Sequence, residues 1–365
     1  LPSRRTICEF GPIKGLKPGF YVAETSMYRD GKLIDQIREP FSIIESKPVD
    51  KSELVTIKGD QFIYKGKPWY SLGINYRPLY VASMEEKPFW QHWCHPDQYD
   101  AEIIEMELDL MNKIGLNTVA LIYENSEEVP SAFVDFMERA HRHGLKCHVY
   151  LAGLEPNWPN PEKALALIKA ARLWERPAMF AYDTGWEVRI GREDKRQGAD
   201  PEWNRWLQDR YGSVENAEKD WEFTLRRGEN GRVHGPTDDQ VSQDGPWNRM
   251  VAAYRRFWDD RFSRRYMKTA QIVDSVDPYH PISVRSGFGG TGTTAPYALP
   301  TMPVDLFSGA KHLDYISPEG YNISGDWQSF REAGFTTLYG KFASGGKPVY
   351  WAELGYSAAT PERLE

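Results

Sequence analysis

The chain has 365 residues, of which 41% are hydrophobic, 27% charged and 13% aromatic. That composition supports a large buried core and excludes a disordered, fibrous or small disulfide-stapled chain. Lys plus Arg number 45 against 52 Asp plus Glu, a formal charge of −7 with no long basic run, which excludes the basic footprint of a nucleic-acid partner.

No stretch reaches the roughly 18 consecutive apolar residues that span a bilayer, and the N-terminal segment lacks the apolar core of a signal peptide. Cys8, Cys94 and Cys147 are odd in number and far apart, which gives no disulfide framework. The chain begins without Met, so upstream sequence is expected.

Residues 1–50 alternate in the β manner. Phe20–Thr25 reads as a strand, Arg29-Asp30-Gly31-Lys32 as a turn, Leu33–Ile37 as the hairpin partner and Phe41–Ile44 as a further strand. These few strands do not stand alone; they are expected to be the C-terminal part of an Ig-like β-sandwich domain. Residues 45–53, charged and Pro-containing, read as a linker.

From residue 54 to 365 strands alternate with helices, the grammar of a parallel sheet. A hairpin (55–57 and 61–64) leads into a first strand at 70–76. A helix follows at 100–114, with Ile103, Met106, Leu110 and Ile114 on its apolar face and Gly115 as its stop. The second strand is 118–123, and its helix, 130–143, carries Phe133, Phe136, Met137 and Ala140. The third strand is 147–151; Asn160 and Pro161 open the next helix. The fourth strand is 179–187. An insertion at 188–246 has helices near 201–210 and 214–221, and a helix at 248–275 follows. Strands five, six and seven fall at 281–286, 315–321 and 349–354. This predicts an α/β fold of the TIM (β/α)8 type, its last helix and strand beyond Glu365; an open seven-stranded sheet is the alternative.

Barrels present catalytic residues at the C-terminal ends of their strands. Two glutamates stand there, Glu187 and Glu353. With a period of two, Asp183, Gly185 and Glu187 share one face, as do Val349, Trp351 and Glu353. Both carboxylates are therefore expected to point into one mouth, which suits glycoside hydrolysis, where retaining enzymes hold two carboxyls about 5–5.5 Å apart. Asp183, deeper on its strand, is read as a buried, hydrogen-bonded carboxylate.

At this point the sequence resembles the retaining glycosidases of the TIM-barrel clan that includes β-galactosidases, β-mannosidases, β-glucuronidases and cellulases. The resemblance rests on Lys347-Pro348-Val349 leading to Glu353-Leu354-Gly355-Tyr356, on Gly115-Leu116-Asn117-Thr118-Val119, on the lead-in Phe62–Pro68 and on Gly73-Ile74-Asn75-Tyr76. It implies Glu187 as acid/base and Glu353 as nucleophile, with no cofactor and no metal. The segment from Trp206 through Tyr211-Gly212-Ser213-Val214-Glu215 to Trp221 resembles β-galactosidases of the clan, which makes a β-galactoside the first expectation. Two positions depart from the pattern: Trp186 stands where Asn usually precedes the acid/base, and Ala120 where an Arg is common on the second strand.

Tyr321 is the candidate to hydrogen-bond the nucleophile, with Glu319 on its face, and Arg285 the candidate to hold the nucleophile anionic or bind substrate. Asn75, Tyr76 and Tyr123 are further binding candidates. Trp186 is expected beside the sugar or packed behind its strand, Trp351 on the pocket floor, and Trp90, Trp93 and Trp158 as stacking platforms in mouth-side loops. His92, Cys94 and His95, or His141 with His143, lack a complete metal-ligand set. Gly287–Gly292 opens into a Thr-rich loop and not a helix, which argues against a phosphate cradle. The expected partner is a carbohydrate outside the cell or in the periplasm, and the alternatives are a non-catalytic carbohydrate-binding barrel or a transglycosidase using the same residues.

Overall fold

A computed structural model describes residues 14–45, 47–80, 93–94, 98–123, 130–155, 160–228, 231–286, 302, 304–321 and 327–355. At its start, β1 (Gly19–Arg29) and β2 (Lys32–Ile43) form one long antiparallel hairpin. Asp30 and Gly31 both take positive φ at the turn, 51° and 74°, the conformation that Asp-Gly favours between two strands. The strand expected at 41–44 is the end of β2, because Pro40 sits opposite Val22 without interrupting the pairing. Of the expected sandwich, the described residues show this hairpin. It docks on the helices that follow: Arg139 donates to the Pro40 carbonyl at 2.6 Å, and Arg142 lies 3.9 Å over the Phe20 ring.

A three-stranded meander comes next, β3 (Thr56–Lys58), β4 (Gln61–Tyr64) and β5 (Lys67–Trp69). Phe62 from β4 meets Phe180 and Tyr315 edge to face, with centroids 5.2 and 5.4 Å apart. Val55, Ala181, Tyr350 and Ala352 complete this buried cluster. Bulky rings there fill the end of the sheet where its strands begin, so that a polar site has to lie at the other end.

The sheet is parallel throughout. β6 (Gly73–Asn75), β7 (Thr118–Tyr123), β8 (Lys146–Leu151), β9 (Met179–Asp183) and β10 (Ile282–Ser283) pair in sequence order. β11 (Arg285–Ser286), β12 (Ser317–Tyr321) and β13 (Glu353–Gly355) form a second parallel group. The two groups join where Arg285 N donates to the Gly185 carbonyl and Val188 N to the Arg285 carbonyl, at 3.0 and 3.1 Å.

Helices α1 (Ala101–Lys113), α2 (Ser131–Arg142) and α3 (Pro161–Ala171) connect the early strands. Asp100 caps α1 by accepting from the Glu102 and Ile103 amides, and α2 buries Phe133, Phe136, Met137 and Ala140 as its spacing predicts. In the insertion, α4 (Glu193–Arg196), α5 (Asp200–Tyr211), α6 (Val214–Trp221) and α7 (Asp238–Ser242) precede the long α8 (Asn248–Asp274). Trp203 organises it, stacked between Trp206 and Trp221 and edge-on to Tyr254 of α8. α9 (Leu306–Gly309) and α10 (Trp327–Ala343) follow. Among the described residues, no helix is long and apolar enough to cross a membrane.

One expected face is reversed. α1 buries Ala101, Ile104, Leu108 and Met111, whereas Met106, Leu110 and Ile114 are 63%, 58% and 65% exposed. The helix is apolar on two sides, and its neighbours α2 and β2 take only one of them. On the far side of the sheet, α10 likewise exposes Phe335, Leu338 and Phe342. A cleft of about 740 Å³ is bordered by β6, β13 and α10 and lined by Tyr70, Leu72, Ile74, Thr337, Trp351 and Leu354.

The approach of β6 to β7 depends on Gly73. A Cβ there would stand 2.2 Å from the Thr118 carbonyl oxygen, inside any van der Waals contact, and that oxygen belongs to rigid backbone. Gly73→Ala is expected to cost about 1–3 kcal/mol by overpacking and to displace Asn75 two residues on. Urea unfolding checks this; an unchanged midpoint contradicts it.

Candidate active site

The site is built around one buried arginine. Arg285, fully buried on β11, directs its side chain between three carboxylates from three neighbouring strands. Nε donates to Asp183 Oδ2 of β9 at 2.9 Å and lies 3.5 Å from Glu319 Oε1 of β12, while Nη1 donates to Glu353 Oε1 of β13 at 2.7 Å. Asn75, at the end of β6, donates to the same Glu353 oxygen from Nδ2 at 2.8 Å. A planar guanidinium fork can meet several acceptors at once, which a point charge cannot do. Burial opposes the Arg285 charge, but Asp183, Glu319 and Glu353 outweigh it and hold the group firmly protonated.

Among the three carboxylates the environment separates the charges. Burial raises the Asp183 carboxyl above the ordinary range, opposed by Arg285. Glu319 is pushed up to about 9, first by burial and then by the neighbouring charge of Glu353. Two of the carboxyls that face the buried cation, Asp183 and Glu319, are thus made harder to ionise by burial.

Two irregularities aim these side chains. In β9, Cys147 is opposite Met179 but His148 is opposite Ala181, so Phe180 is an extra residue. It turns inward beside Ala181 while Tyr182 turns out to bond Asp277 at 2.6 Å. In the seventh strand position, Ile316 bridges Val349 but Glu319 pairs with Glu353, which again inserts one residue. Such bulges re-aim side chains and shift every later residue to the other face. Trp351 accordingly does not share the Glu353 face: its Nε1 donates to Thr337 Oγ1 of α10 at 3.0 Å, so it turns toward the helix layer, where it lines the cleft bordered by β6 and β13.

Glu187 departs from its expected place on a strand. β9 ends at Asp183, and Glu187 takes φ 45° in the following turn, a conformation uncommon outside glycine that recurs at functional positions. Its half-exposed carboxylate pairs with Arg189, a partner two residues away that the period-two reading passed over. Trp186 lies flat over Arg285, 3.7 Å from the ring centroid to Cζ, and edge-on to Tyr150 at 5.6 Å. One face of its ring covers the guanidinium.

The remaining candidates are placed as follows. Tyr76 is buried away from the site, its hydroxyl on Glu107 of α1 at 2.7 Å and its ring against Trp93 and Phe136, which makes it a packing residue. Trp93 is buried with it and offers no stacking platform. Ala120 pairs with Asn75 on the adjacent strand. The side chains of Tyr123 and Tyr321 lie outside the described residues, as do Trp90, His92, His95, Trp158 and the loop 287–292. His143 bonds Glu105 at 2.8 Å, and no group of three or more metal-ligating side chains occurs among the described residues.

In sequence, neither a protein-family model nor a curated protein matches the chain. Solved structures do. A β-galactosidase from Rahnella sp. R3 aligns with 71% of this chain and 43% of its own at 16% identity and a TM-score of 0.50. A β-galactosidase from the psychrophilic Marinomonas ef1 aligns over 78% and 48% at 12% identity and 0.49. A β-1,4-D-mannanase from Cryptopygus antarcticus aligns over 75% and 73% at 11% and 0.39. The chain spans less than half the length of the two β-galactosidases. At such identities the likeness is one of architecture, and the chain shares the α/β fold of the Rahnella β-galactosidase.

Proposed function

We propose that this chain carries the catalytic site of a retaining β-glycosidase, with Glu353 as nucleophile and Glu187 as acid/base. The observation that carries the reading is the grip on Glu353. One carboxylate oxygen, at the C-terminal end of a parallel strand, accepts from Arg285 and Asn75 at 2.7 and 2.8 Å. Two donors on one oxygen hold the carboxylate in place for attack on an anomeric carbon.

Glycosylation then proceeds as Glu353 attacks and Glu187 gives its proton to the leaving oxygen; water, deprotonated by Glu187, releases the sugar. Arg189 has to yield Glu187 when substrate enters, and its exposed side chain can do so. Residues 54–365 form this catalytic unit in our reading and residues 1–50 the end of a sandwich domain. A β-galactoside outside the cell or in the periplasm is the first substrate to test, and neither metal nor cofactor is required. The apolar faces left open on α1 and α10, with the cleft between β6 and β13, support closure of the sheet into a barrel by further elements.

Incubation with activated 2-deoxy-2-fluoro β-glycosides, then intact-mass measurement and peptide mapping, tests the assignment. A stable adduct on Glu353 is expected; an adduct on another residue overturns it, and binding without any adduct favours a carbohydrate-binding role. The acid/base is tested by Glu187→Gln. Turnover of glycosides with poor leaving groups should fall about 10²–10⁴-fold, with a much smaller loss for a dinitrophenyl leaving group, which departs without a proton. Equal losses for both contradict the assignment.

A further inference from the structure

Glu319 is a buried carboxyl that the double displacement does not use. It is 3% exposed, too deep to touch a sugar, yet it is the direct cross-strand partner of Glu353 and shares Arg285 with it. Its geometry is unfinished. Glu319 Oε1 and Arg285 Nη2 are both buried without a hydrogen-bond partner, and Oε1 is 3.5 Å from Arg285 Nε, beyond hydrogen-bond range for a charged pair. A buried acceptor and a buried donor left idle beside each other mark a second position available to the guanidinium.

We propose that Glu319 is a proton-controlled positioning residue for Glu353: protonated, it leaves Arg285 on Glu353 and Asp183; ionised, it draws Arg285 toward itself and loosens the nucleophile. This rests on Glu353 being the nucleophile. The groups that face Glu319 are Asp183 on β9, Glu187 in the turn after it, Arg285 on β11 and Glu353 on β13. Three of the four are acidic, and only Arg285 rewards a charge on Glu319. Its carboxyl, held up to about 9 chiefly by burial, therefore stays neutral at physiological pH and ionises on the alkaline side. The proton leaves to solvent and no bond to substrate is involved.

The experiment compares kcat–pH profiles of the wild-type chain and Glu319→Gln on an activated aryl β-glycoside. Gln reproduces the neutral carboxyl in size and cannot ionise. The wild type is expected to lose kcat on an alkaline limb, and in E319Q that limb should move upward by more than about one pH unit or vanish. An unmoved limb, or an E319Q enzyme equally impaired at every pH, overturns the proposal. If E319Q does not fold, Glu319→Met, uncharged and of similar length, replaces it.

Urea unfolding against pH reads the same proton without activity. A carboxyl raised in the folded state contributes stability that is complete below its unfolded value and lost as pH rises through the folded one. Wild type should therefore lose stability relative to E319Q from the ordinary value of 4.5 up to about 9, and parallel curves overturn the proposal. Failure of the fluoroglycosides to label Glu353 removes the glycosidase reading instead, and leaves the divergence of the two curves to decide whether Glu319 holds the proton.

Discussion

Glu353→Gln should lower kcat by about 10⁴-fold or more, the loss typical of deleting a nucleophile whose partners stay in place, while the fold persists. The structural argument starts from one oxygen. Glu353 Oε1 accepts from both Arg285 and Asn75, and the carbonyl of a glutamine can accept both bonds unchanged. What the amide cannot do is attack an anomeric carbon. The substitution thus separates chemistry from architecture more cleanly than alanine, which would take this acceptor from Arg285 Nη1 and Asn75 Nδ2. Kinetics on an activated aryl β-glycoside, with the urea midpoint as a control for folding, measures it. A kcat within tenfold of wild type, or a collapse of the midpoint that accounts for the loss, contradicts the assignment. A protein that still binds the same sugar as tightly as before, from a wild type with no turnover, would point to the carbohydrate-binding alternative.

The ordering of strands and helices was legible because each depends on local pattern: apolar spacing in α2, the Asp-Gly turn between β1 and β2, the cap at Asp100. The orientation of side chains at the strand ends was legible only where the ladder is unbroken. A period-two argument carries Asp183 correctly into the interior, where it meets Arg285, and then fails at Glu187 because β9 has already ended. In the seventh strand position the same argument links Trp351 to Glu353, and the inserted residue before Glu353 parts them. Bulges of this kind leave no mark in hydrophobic spacing, since they are set by the neighbouring strand. The face of α1 was lost for a related reason. Both Ile103-Met106-Leu110-Ile114 and Ala101-Ile104-Leu108-Met111 have helical spacing, and which one is covered depends on elements distant in sequence. Their neighbours in the chain suggest a place in the site for Trp93 and Trp351, and for Trp186 one beside the sugar or behind its strand, yet each is held by a group remote from it: Tyr76 and Phe136, Thr337, and Arg285.

Arg285 is in reach of Asn75 Oδ1 at 3.5 Å as well as of Glu353. Its removal should be the most damaging single change to stability in the site. Arg285→Met keeps much of the volume but takes from Asp183 and Glu353 the buried cation that pairs with both, which by the usual cost of breaking a buried ion pair amounts to about 3–5 kcal/mol at neutral pH. The sign with pH follows from the same carboxylates. Without Arg285 the folded-state values of Asp183 and Glu319, already raised by burial, rise further above the unfolded ones, so the stability they allow is present at acid pH and lost as pH increases. The gap between R285M and wild type should therefore narrow below about pH 5, where free carboxylates begin to take up protons. Arg285→Lys is the sharper variant. Lysine preserves the charge, yet one ammonium cannot hold Asp183 through Nε and Glu353 through Nη1 at once, nor offer Trp186 a flat face. We expect R285K to regain a good part of the urea midpoint while kcat stays about 10²-fold or more below wild type, the scale lost with one preorganised donor. Stability equal to wild type in R285M at pH 8, or full kcat in R285K, would show that the carboxylates organise themselves without the guanidinium fork.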